Sequence, residues 1–90
     1  MPSVNVTRLD DASFEVRVSG VSPTTHIVTV PADYAARLTG GRVTVEQLVA
    51  RSFDFLLERE PNTSILRRFE LPVIGRYFPE YERVIAAMLE

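Results

Sequence analysis

The chain has 90 residues, with ten Arg and no Lys against twelve acidic residues, so its formal net charge is −2; 46% of it is hydrophobic. That length predicts one domain, residues 1–90, with a single modest core and no deep cleft between lobes. The absence of Cys and Lys excludes disulfides, thiolate nucleophiles and thiolate metal sites, Schiff-base chemistry and a phosphate-loop lysine.

The first third reads as strand. Val4 and Val6 alternate with Asn5 and Thr7, and Phe14-Glu15-Val16-Arg17-Val18-Ser19 alternates strictly, the period-2 signature of a strand with one face on a core. The polar connection Asp10-Asp11-Ala12-Ser13 has hairpin length. After the break Gly20-Val21-Ser22-Pro23, the β-branched run from Thr24 to Val30 predicts a third strand, and Pro31 ends it. The expectation is an antiparallel meander of three strands within residues 3–30.

The middle third reads as a helix pair. Residues 32–39 make a short helix stopped by Gly40-Gly41. Thr44 and Gln47 match the S/T-x-x-E/Q capping box, and Val45, Leu48, Val49, Phe53, Leu56 and Leu57 recur at helical spacing, so a second, amphipathic helix is expected over 45–60, closed by Pro61. The rest is delimited by proline. Helical turns are expected at 65–70, 73–78 and 80–89, the last with Tyr81, Val84, Ile85, Met88 and Leu89 along one stripe. The fold class is therefore α+β.

Few residues offer chemistry. His26 shares a strand face with Val28 and Val30, which suits a partly buried histidine better than a base or ligand, and no neighbouring residues have metal-ligand spacing. The acidic pairs Asp10/Asp11, Glu58/Glu60 and Glu80/Glu82 diverge on a turn or helix and read as solvated charges. Gly40-Gly41 is followed by no Lys and reads as a helix stop. No catalytic residue, metal or cofactor is expected, and the protein is expected not to be an enzyme.

The tail holds Arg67, Arg68, Arg76, Tyr77 and Tyr81 within fifteen residues, a combination enriched at protein interfaces. The competing reading pairs these groups with Glu70, Glu80 and Glu82 at the surface. Elsewhere the charges are spread evenly, with no basic arm for nucleic acid or an anionic membrane. No apolar run approaches the roughly 20 residues of a membrane helix, and no targeting segment is evident. A cytoplasmic location follows as the expectation.

Residues 25–60 resemble ribbon-helix-helix proteins: a short strand ending in Pro, a helix, a Gly-containing turn and a Thr-capped second helix with Val45-x-x-Leu48-Val49 and Phe53-x-x-Leu56-Leu57. That resemblance implies a strand paired with its copy from a second subunit in the DNA major groove. Thr25, Ile27 and Thr29 would then face the groove, and Thr44 with its neighbouring N–H groups would meet phosphate. Over nearly its full length, above all in THIVTVPADYAARLTGG and FLLEREPNTSILRRFELPVIGRYFPEY, the chain also resembles a family of small bacterial proteins to which no activity is attached. The favoured expectation is a small non-enzymatic binding or adaptor protein acting through protein–protein contacts, with a protein partner or a second copy; the alternative is a ribbon-helix-helix-like DNA-binding regulator or antitoxin.

Overall fold

The computed structural model describes residues 3–89. Strands β1 (Val4–Arg8), β2 (Ser13–Val18) and β3 (Thr24–Thr29) form the expected antiparallel meander, with Val16 opposite both Val6 and His26. The β1–β2 turn closes on Asp10, whose carboxylate accepts the N–H groups of Ala12 and Ser13 at 2.9 and 2.8 Å. Those two bonds hold the Asp10 carboxyl below its ordinary pKa.

The chain then crosses over through α1 (Ala32–Thr39) and α2 (Val45–Leu57). Gly40 stops α1 at φ +60°, its N–H returning to the Ala36 carbonyl at 2.9 Å. Thr44 and Gln47 form the full capping box: Thr44 Oγ1 accepts the Gln47 N–H at 3.1 Å, and Gln47 Oε1 accepts the Thr44 N–H at 2.9 Å. Helix α2 ends at Leu57, three residues short of the expectation. The last turn tightens there, with the Arg59 and Glu60 N–H groups both on the Leu56 carbonyl, because the residue before Pro61 is driven out of the helical region.

Residues 65–70 are not helical: Arg68–Glu70 form a fourth strand, β4, which lies parallel to β3 in a sheet of order β1-β2-β3-β4. The sheet is therefore four-stranded and mixed, not a three-stranded antiparallel meander. Without β4, the second edge of β3 would be unpaired, and a crossover of two helices is long enough to return the chain parallel to it. A 3-10 turn at Leu71–Val73 leads into α3 (Ile74–Tyr77), and α4 (Tyr81–Met88) follows.

The architecture is two layers. Phe14, Val16, Val18, His26, Val28 and Phe69 point to one sheet face, where Leu48, Val49, Phe53, Phe55 and Ile85 cover them with none of their surface exposed. The other face, with Thr7, Glu15, Arg17, Thr25, Ile27, Thr29, Arg68 and Glu70, carries no helix among the described residues. Two polar links hold the helices together. Ser52 Oγ donates to the Leu48 carbonyl at 2.7 Å, so the Tyr81 hydroxyl donates to Ser52 at 2.6 Å. Glu82 accepts from Arg37 at 3.1 and 3.2 Å and from the Tyr34 hydroxyl at 3.0 Å, joining α4 to α1.

Candidate interaction surface

An apolar groove of about 260 Å³ opens where the end of α2, the 62–66 segment, β4 and α3 meet. Leu56, Ile65, Phe69 and Ile74 form its buried floor, and Val73 and Phe78 its half-buried sides. The groove exists because residues 61–78 never settle into one long element. Pro61, Pro72 and Pro79 break the chain into short pieces, and short pieces leave gaps between their side chains.

At the rim stand Leu66, 48% exposed, and Tyr77, 67% exposed, two of the few large apolar side chains that face solvent among the described residues. Glu60 and Ser64 supply the polar lining. Burial alone raises the Glu60 carboxyl above its ordinary pKa.

The arginines expected at an interface behave unequally with respect to this groove. Arg67 and Arg76 are the chain neighbours of the two rim residues, while Arg68 lies on the open sheet face opposite Ile27. All three are exposed, and none forms an ion pair among the described residues. The competing reading, that surface acids neutralise them, is not what the side chains do: Glu80 pairs with Arg59 at 3.3 Å and Glu82 with Arg37 at 3.1 Å. Tyr81 leaves the candidate interface, since it is 0% exposed on the inward stripe of α4 and bonded to Ser52. Its place in the stripe with Ile85 was the signal that it belongs to the core.

Thr25, Ile27 and Thr29 do share the open face of the sheet, as the ribbon-helix-helix resemblance implies. The strand that carries them, however, is paired on both sides within the chain, by β2 and by β4. A strand with both edges occupied has none left for a copy of itself. Nor does Thr44 join them, because it caps α2 in the helix layer, where Glu46 pairs with Arg8 at 3.4 Å.

His26 is fully buried and wholly engaged. Its Nδ1 lies 2.8 Å from the Leu66 carbonyl and its Nε2 2.8 Å from Thr24 Oγ1, which in turn accepts from Asn62 Nδ2 at 2.9 Å. A carbonyl can only accept, so Nδ1 carries the hydrogen and Nε2 accepts from the Thr24 hydroxyl. Burial, and to a smaller extent the Arg67 charge, lowers its pKa. This network fastens β3 to the segment that becomes the groove wall at Leu66. Among the described residues no group of three or more His, Asp or Glu could hold a metal ion, and no helix is long and apolar enough to cross a membrane.

Compared with protein-family models, with curated proteins and with solved structures, the chain shows no match.

Proposed function

We propose that this protein is a small non-enzymatic binding module that takes up an apolar side chain of a partner protein in the groove between α2, β4 and α3, with acidic neighbours of that side chain meeting Arg67 and Arg76. The observation that carries the reading is one juxtaposition: an apolar pocket whose exposed rim, Leu66 and Tyr77, is flanked in the chain by two guanidinium groups that form no ion pair among the described residues. Buried apolar anchors ringed by polar groups concentrate binding energy, and unpaired Arg is well suited to carboxylates. The location in the C-terminal third agrees with where the sequence concentrates Arg and Tyr.

An NMR titration tests it. Short peptides bearing a single Leu or Phe flanked by Glu should shift the amides of Leu66, Phe69 and Tyr77, and the same peptides with Lys in place of Glu should not. Equal shifts with both sets, or none with either, would contradict the proposal.

A further inference from the structure

The groove lies beside a sheet edge that is chemically unfinished. In a parallel ladder, alternate residues turn both backbone groups to the same neighbour. The Ile27 N–H binds the Arg67 carbonyl at 2.8 Å, which sets the phase: residues 67, 69 and 71 address β3, so the N–H and C=O of Arg68 and Glu70 point the other way. Among the described residues no strand pairs with that side of β4, although the Glu70 carbonyl also takes the first bond of the 3-10 turn at Leu71–Val73.

We infer that the β4 edge pairs with β4 of a second copy of this chain, antiparallel about a two-fold axis at Phe69. The register follows from the chain itself. Placing Phe69 opposite its copy sets Arg68 opposite Glu70 of the second chain and Glu70 opposite its Arg68. These two pairs are the ones whose backbone groups face outward. Four N–H···O=C bonds then close the edge, the Glu70 carbonyls accepting with their second lone pair, and the close, non-hydrogen-bonded position falls at Phe69. On the open face the same register brings each Arg68 guanidinium against a Glu70 carboxylate, twice. Arg68 and Glu70 are both exposed and form no ion pair among the described residues of one chain. A self-complementary patch of this kind is what an isologous interface requires. The opposite edge has no such code, because β1 presents Asn5 and Thr7 on that face. The pairing would give one continuous sheet of eight strands with a groove on each side of the axis. It holds whether or not the groove takes a peptide.

Charge exchange at the two positions gives the test, with oligomeric state read by sedimentation velocity over a dilution series. The unmodified protein should dimerise reversibly. Arg68→Glu and Glu70→Arg each place like charges opposite one another twice and should weaken self-association about tenfold or more. Mixing the two variants, or combining both changes in one chain, should restore the dimer, which also shows that the single variants are folded. A monomer at hundreds of micromolar for the unmodified protein would overturn the inference. So would a dimer indifferent to both changes, or single-variant losses that neither the mixture nor the double change restores. None of these outcomes depends on the peptide titration, so the two readings fail separately.

Discussion

At His26, three hydrogen-bonding groups in series leave the imidazole one neutral tautomer, with Asn62 donating to Thr24, Thr24 to Nε2 and Nδ1 to the Leu66 carbonyl. Protonation would put a hydrogen on Nε2 where the Thr24 hydroxyl already points its own. The folded-state pKa is lowered, so the unfolded chain binds the proton more tightly, and stability is complete above the ordinary value of 6.5 and falls as pH drops through and below it. That window lies above the range in which the carboxylates of Asp10, Glu46, Glu80 and Glu82, all with lowered pKa values, begin to titrate. Thermal melts should therefore show a loss of stability between pH 7 and 5.5 in the unmodified protein. His26→Gln should lower the melting temperature at pH 7 and abolish that limb; an unchanged limb would place the titrating group elsewhere.

Among the elements, α2 carries the helix side of the core and starts at a reciprocal cap. Thr44→Ala removes the acceptor for the Gln47 N–H and should cost about 1 kcal/mol, read as a lower denaturation midpoint with the slope unchanged. This helix and the first three strands were legible in the sequence because each advertises its period: Phe14, Val16 and Val18 alternate, and Leu48, Val49, Phe53 and Leu56 recur on one stripe. Strand β4 was not. A three-residue strand with one apolar position, Phe69, has no period to read, and its conformation is decided by the open edge of β3 and the His26 bond to Leu66, both contacts across some 40 residues of sequence. The groove was hidden for the same reason. Sequence proximity gathered Arg67, Arg68, Arg76 and Tyr77, yet Leu66 and Phe69 became part of a site only when β4 and α3 packed against the end of α2. Tyr81 shows the converse error, an interface residue by composition that its helical phase sends into the core.

On the scale of the whole molecule, one sheet face is sealed by helices and the other stays open, with Glu15, Arg17, Arg68 and Glu70 mixing both signs on it. Such a face has little to steer a polyanion. The apolar and electrostatic loose ends fall instead at one end of the sheet: an open strand edge, a groove beside it, and arginines that form no ion pair among the described residues. That C-terminal third is the part of the molecule proposed to meet other chains. Amide hydrogen exchange resolved at single residues tests this most directly. At low micromolar concentration the Arg68 and Glu70 N–H groups should exchange freely while the Phe69 N–H, turned toward β3, is protected; at hundreds of micromolar both should become protected as well. Equal exchange of Arg68 and Glu70 at the two concentrations, with Phe69 protected throughout, would contradict it.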